Sequence, residues 1–259
     1  MNDSVLLSFD VEEFDIPLEY NQAIEENDQY TISHQGLIRV INILDQLELR
    51  ATFFVTAQFA LRYPQLIQSI SKRHEIASHG FYHSSFEPDH LKKSKETIES
   101  IIGKSIYGFR MPRLKTLPSN LIREAGYSYD SSINPTYIPG RYNHFFSQRT
   151  IHFVNGICII PTSVTPISRF PLFWISFKMI PLWLFKWFTI RNLKTDQYVT
   201  LYFHPWEFSD LKDCKLPIYV KRLAGEKLSK RLVAYLHWLK KRKTSFKTYY
   251  EFYLERKKS

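Results

Sequence analysis

The sequence predicts an α/β fold, with parallel strands rolled into a barrel and helices crossing between them, rather than an open doubly wound sheet. Short apolar runs alternate with stretches of helical period about six to eight times, the count at which a barrel closes. Glycine and proline are scarce inside those runs. The length of 259 residues, 44% of them hydrophobic and 16% aromatic, supports a single sizeable core and excludes a disordered or disulfide-stapled chain.

Residues 5–9 are a compact apolar run and read as the first strand. Leu37, Val40, Ile41, Leu44 and Leu47 then recur at helical spacing. Residues 51–56 form a second strand, 59–71 a helix, 75–78 a short third strand, 92–102 a helix and 106–109 a strand. Pro118 opens a helix over 118–124, proline being tolerated in a first turn. Residues 157–160 and 198–203 read as strands, 219–239 as a long amphipathic helix and 246–252 as a closing strand. The aromatic stretch 170–190 is interrupted by Pro171, Lys178, Pro181 and Lys186. It is expected to be a buried or partly interfacial helix, not a spanning one, with Trp183, Trp187 and Phe188 available to a membrane surface. Neither repeats nor low-complexity stretches divide the chain, so one domain over 1–259 is expected.

The formal net charge is +10, yet residues 211–259 carry 15 basic and 4 acidic residues, leaving the rest of the chain near neutrality. A neutral body argues against a nucleic-acid-binding core. The basic C-terminal segment is either a solvated face or a contact for anionic headgroups at the inner membrane surface. Cys158 and Cys214 are too few and too far apart for a disulfide framework or metal cluster, and read as reduced and structural. The apolar run begins at Val5, with no basic and hydrophobic leader before it, so a cytoplasmic location is expected.

In a parallel barrel the catalytic groups collect at the C-terminal ends of the strands. Asp10, Glu12 and Glu13 follow the first strand, His79 and His83 the third, Arg110 the fourth, Asp130 a fifth, and His204 the strand 198–203. Two histidines four residues apart suit two nitrogen ligands of one metal ion, and also occur by chance as surface or capping residues. A nearby carboxylate completes a set common in catalytic zinc sites. Residues two apart at a strand end share a face, so Asp10 and Glu12 can both enter the site, one as base and one as ligand, with Glu13 pointing away.

These residues fall in five ordered motifs that resemble the polysaccharide deacetylases of carbohydrate esterase family 4, whose catalytic unit is the NodB homology domain. They are Ser8-Phe9-Asp10-Val11-Glu12-Glu13, Ser78-His79-Gly80-Phe81-Tyr82-His83, Gly108-Phe109-Arg110-Met111-Pro112-Arg113, Gly126-Tyr127-Ser128-Tyr129-Asp130-Ser131-Ser132, and Tyr202-Phe203-His204-Pro205-Trp206-Glu207. The run Ala51-Thr52-Phe53-Phe54-Val55 is similar to the family's second strand. The first and last motifs look most like a subgroup linked to bacterial exopolysaccharide synthesis. The resemblance implies a distorted, seven-stranded (β/α) barrel and metal-dependent removal of an N-acetyl group from an amino sugar. It implies Glu12, His79 and His83 as ligands of a divalent ion, usually Zn2+. Asp10 would be the general base, Arg110 its partner, and His204 the acid that protonates the departing amine. Asp130 would hold His204, and a backbone N–H near Arg113 would face the oxyanion.

The sequence departs from the family pattern in several places. Glu12 stands one position later than the usual aspartate, leaving Glu13 as the alternative ligand. Tyr202 replaces a leucine that lines the acetyl pocket in many members. Arg113 is a candidate for an anionic part of the substrate, and Asp130 is alternatively a turn residue. Trp206 and Glu207 either contact sugar or pack beneath the rim, and Arg141, Tyr142 and His144 form either a substrate loop or an ordinary connection. The remaining histidines read as surface or capping residues. The expected partner is an N-acetylated saccharide of a surface polysaccharide or its lipid-linked precursor. The alternatives are a catalytically inactive glycan-binding barrel and an amide hydrolase acting on a non-sugar C–N bond.

Overall fold

The computed structural model describes residues 3–258. In chain order its strands are β1 (Ser4–Val11), β2 (Thr52–Val55), β3 (Glu75–Ser78), β4 (Gly108–Phe109), β5 (Tyr129–Asp130), β6 (Tyr137–Ile138), β7 (Tyr142–Asn143), β8 (His152–Val154), β9 (Ile157–Ile159), β10 (Tyr198–Phe203) and β11 (Ser245–Lys247). One curled sheet runs β10-β1-β2-β3-β4-β5-β9-β8, with β11 added to the start of β1. The pairs from β10 to β9 are parallel, and β8 returns antiparallel on β9. This is the expected distorted barrel. Instead of a ladder between β9 and β10, Ser163 N–H donates to Thr200 Oγ1 (2.6 Å) and Thr200 N–H donates to Ser163 Oγ (2.8 Å).

The side-chain period of a strand sorts β1. Val5, Leu7, Phe9 and Val11 join the large outer core under the helices, whereas Leu6 enters an inner cluster with Phe54, Ala77, Tyr129 and Cys158. Ser8 and Asp10 continue the inner face toward the rim.

The helices are α1 (Glu26–Gln46), α2 (Ala57–Arg62), α3 (Pro64–Ile70), α4 (Asp89–Ile102), α5 (Ser119–Glu124), α6 (Trp174–Met179), α7 (Leu182–Asp196), α8 (Ile218–Lys221), α9 (Glu226–Lys241) and α10 (Tyr249–Lys258). Among the described residues, no helix is long and apolar enough to cross a membrane. Helix α1 presses Gly36 against the turn after β10, where a Cβ would lie 1.8 Å from the Pro205 carbonyl oxygen. A side chain there would drive the helix off the turn that carries His204.

Four expected elements differ. The helix over 59–71 is two, because Pro64 starts α3 and cannot continue α2. The helix over 219–239 is broken at Leu223 and Gly225, both at positive φ, into α8 and α9. Pro181 divides the aromatic stretch into α6 and α7. The closing strand 246–252 is only the three residues of β11, and α10 follows at once. Tyr249, Phe252 and Tyr253 of α10 pack into the inner cluster, so the chain plugs the barrel with a helix.

Candidate active site

Strand β1 ends by turning its inner face into the barrel mouth, and there Asp10 and Glu12 meet residues from three other strand ends. His79 Nε2 lies 3.0 Å and His83 Nε2 3.1 Å from Glu12 Oε2. His79 Nδ1 is 2.9 Å from the Arg110 carbonyl oxygen, which can only accept, so its proton sits on Nδ1 and the Nε2 lone pair faces Glu12. His83 Nδ1 likewise turns to Asp15 Oδ1 at 2.8 Å. The three ligand atoms therefore present lone pairs toward one point, an arrangement that requires a cation or an added proton between them. Their spacing approaches the roughly 3.3 Å expected between ligands of a tetrahedral ion with 2.0–2.1 Å bonds. Carbonyl and carboxylate partners behind both imidazoles are the usual support of such ligands. The donor set thus fits a divalent metal.

Burial pushes the Glu12 carboxyl up, but His83, His204 and His79 outweigh it and hold the group below the usual carboxylate range. Burial disfavours the charged form of His83, yet Glu12 and Asp15 raise its pKa to about 9. Glu13 faces the other way. Its oxygens accept from Tyr30 Oη (3.3 Å) and Thr56 Oγ1 (3.2 Å), and burial raises its pKa.

Arg110 lies wholly inside the barrel, with its five N–H donors shared among five acceptors. Nη1 donates to Asp10 Oδ1 (2.5 Å) and Ser8 Oγ (3.0 Å), Nη2 to Ser131 Oγ and Tyr249 Oη (both 3.0 Å), and Nε to the Ser131 carbonyl (3.3 Å). The guanidinium also stacks 3.9 Å over the Phe54 ring. Asp10 is thereby locked in one rotamer, with its other oxygen free for the cavity.

The pair expected between Asp130 and His204 is not formed. Asp130 accepts from Ser132 Oγ two residues on, closing a turn at the end of β5, and burial raises its pKa to about 6 against the pull of Ser132 and Arg110. His204 instead takes its partner from its own turn. Glu207 Oε1 accepts from the His204 backbone N–H (2.8 Å) and lies 3.1 Å from its Nδ1. A carboxylate on Nδ1 directs the other nitrogen, Nε2, toward Glu12 Oε1, 3.9 Å away. Behind Glu207, Lys178 Nζ lies 2.7 Å from Oε2 with both side chains fully buried. Trp206 stacks on the His204 ring at 4.9 Å and donates Nε1–H to Glu12 Oε1 (3.1 Å), so it packs and positions at once.

Asp10, Glu12, His79, His83, His204 and Tyr202 line a cavity of about 30 Å³, room for an ion and a water. Arg113, at a positive φ of 57°, donates to Glu19 Oε1 (2.7 Å), Asp15 Oδ2 (3.3 Å) and the His83 carbonyl (3.2 Å). Arg113, Glu19 and Arg141 belong both to this cavity and to an adjoining pocket of about 990 Å³.

A family model described as polysaccharide deacetylase matches residues 4–129. It covers Asp10, Glu12, His79, His83 and Arg110 and ends before Asp130 and His204. No curated protein matches the sequence. Solved structures share the fold. A Mycobacterium smegmatis protein designated a candidate polysaccharide deacetylase is 20% identical, with a TM-score of 0.63 over 92% of this chain and 84% of its own. A Pseudomonas aeruginosa protein designated a probable polysaccharide deacetylase is 13% identical, with a TM-score of 0.65 over 96% and 89%. The allantoinase PuuE is 12% identical, with a TM-score of 0.67 over 96% and 88%.

Proposed function

We propose that this protein is a metal-dependent hydrolase that removes an N-acetyl group from an amino sugar of a surface polysaccharide or its lipid-linked precursor. One observation carries the reading: Glu12, His79 and His83 converge as a ligand set on the same small cavity as Asp10, held by Arg110, and His204, held by Glu207. A divalent ion held by Glu12, His79 and His83, Zn2+ in this reading, would lower the pKa of water toward 7 and polarise an amide carbonyl.

The chain's own residues supply the rest. Asp10, fixed by Arg110, offers a carboxylate oxygen that accepts a proton from the attacking water. His204 carries its first proton on Nδ1 toward Glu207, and Nε2 faces the cavity to deliver a second to the departing amine. Asp130 supports Arg110 and the β5 turn in this scheme, and does not touch the acid. Tyr202, Trp174 and Trp206 wall the cavity closely, which favours a small acyl group and excludes bulk water.

Metal content and acetate release test this together. Zinc-reconstituted protein should hold about one equivalent of metal and release acetate from N-acetylated oligosaccharides. The His79→Ala, His83→Ala variant should lose both. Protein that binds no divalent ion after reconstitution would overturn the reading in favour of an inactive glycan-binding barrel, and release from an acyclic amide alone would favour a non-sugar hydrolase.

A further inference from the structure

The pocket of about 990 Å³ beside the cavity is larger than one sugar requires. It is also unevenly charged. Arg113 is neutralised by Glu19 and Asp15, but Lys115, Arg141 and Arg169 also line it, and among the described residues none of these three has a carboxylate within ion-pair distance. Arg141 Nε donates to Tyr142 Oη (3.2 Å) and Arg169 Nη1 to the Ser147 carbonyl (3.0 Å), neutral acceptors, and the Glu19 carboxylate that lines the same pocket is engaged by Arg113. Arg141 lines the catalytic cavity as well, so one of these cations stands where the reacting sugar would sit.

A concavity lined by cations that make no ion pair suits an anionic ligand, and phosphate presents several oxygens to such donors. The lining is otherwise rich in apolar side chains, among them Phe170, Phe173, Ile175, Met179 and Ile180. In the helices that follow, Trp183 and Ile218 stand 70% and 64% exposed.

We infer that this pocket holds the phosphate of a glycosyl phosphate or diphosphate, so that the substrate of the neighbouring centre is an N-acylated amino sugar carrying a phosphate-linked aglycone. The inference rests on the deacetylase reading for the sugar, but the phosphate subsite is measurable without turnover.

Equilibrium binding by calorimetry, with N-acetylglucosamine, N-acetylglucosamine 1-phosphate and a short prenyl-phosphate-linked N-acetylglucosamine in detergent, separates the questions. The phosphorylated ligands should bind at least about tenfold more tightly than the neutral sugar, the gain expected of a few charge-assisted hydrogen bonds. That ratio should fall about tenfold in Arg169→Gln and measurably in Lys115→Gln, whose exposed side chain can be exchanged without disturbing the fold. A preference for the soluble phosphate identifies a free sugar phosphate as the source, and binding of the prenyl-linked ligand alone identifies a lipid carrier. Equal affinities for neutral and phosphorylated sugars, or a ratio unmoved in both variants, would overturn the inference. Phosphate-dependent binding without acetate release would retain the subsite and remove the deacetylase reading.

Discussion

Glu207 and Lys178 face each other at 2.7 Å with no exposed side-chain surface, so each compensates the other's burial. Burial pulls the Lys178 pKa down, against the attraction of Glu207. Burial likewise pushes Glu207 up, but Lys178 and His204 hold it below its usual value. Removing one member of such a pair strands a charge, at a cost of about 3–5 kcal/mol. Lys178→Met should therefore lose stability on that scale in urea denaturation, and adding Glu207→Gln to it should recover part of the loss. Additive single and double variants would mean that the pair is not coupled. Much of the site was legible from residue types: Asp10, Glu12, His79, His83 and Arg110 meet as their spacing after parallel strands predicts. The partner of His204 was misread. The expectation looked to Asp130 on a distant strand, whereas an acid three residues after a residue that opens a helical turn reaches back to that residue's backbone N–H, and Glu207 stands at that place. Lys178 carried no local signal, since its role depends on how α6 packs on the turn after β10.

At the scale of elements, the C-terminal segment shows how one local rule overrides another. The aromatic run over residues 246–252 suggests a strand, and β-propensity alone supports it. Yet Thr248-Tyr-Tyr-Glu251 is a capping box. Glu251 N–H donates to Thr248 Oγ1 (3.2 Å) and Thr248 N–H to Glu251 Oε2 (2.9 Å), so α10 starts where the strand was expected to continue. The central strands and long helices were legible because burial imposes a clear period on them, while β6, β7 and β8 are too short to show one. The cap matters beyond its own turn, because Tyr249 in the first turn of α10 is one of the five acceptors around Arg110. Thr248→Ala should cost about 1 kcal/mol of stability, measured by thermal or urea unfolding. Acetate release should fall as well if the loosened turn withdraws Tyr249 from Arg110. Tyr249→Phe, which keeps the ring and removes the acceptor, isolates that second effect.

Over the whole molecule, charge and exposed aromatic surface are distributed together. Basic residues concentrate from position 211 onward, and α9 brings part of that segment against α7. Trp238 of α9 lies beneath Lys186 Nζ (5.2 Å) and Arg242 Cζ (5.5 Å), and Arg191 Cζ is 5.4 Å from the ring centre of Trp187. Trp183 and Trp187 remain 70% and 50% exposed. A surface that alternates indole rings with cations is suited to the headgroup region of an anionic bilayer, where rings enter the interface and cations meet phosphate. The predicted consequence is cosedimentation with phosphatidylglycerol vesicles at low ionic strength and little with neutral phosphatidylcholine vesicles. Raising salt to about 1 M, where the screening length is about 3 Å, should release the protein. Trp183→Ser with Trp187→Ser should weaken binding about tenfold at low salt, since each buried indole contributes apolar area that charge cannot replace. Equal binding to both vesicle types would assign the surface to apolar contact alone, and absence of binding to either would make the basic segment a solvated face.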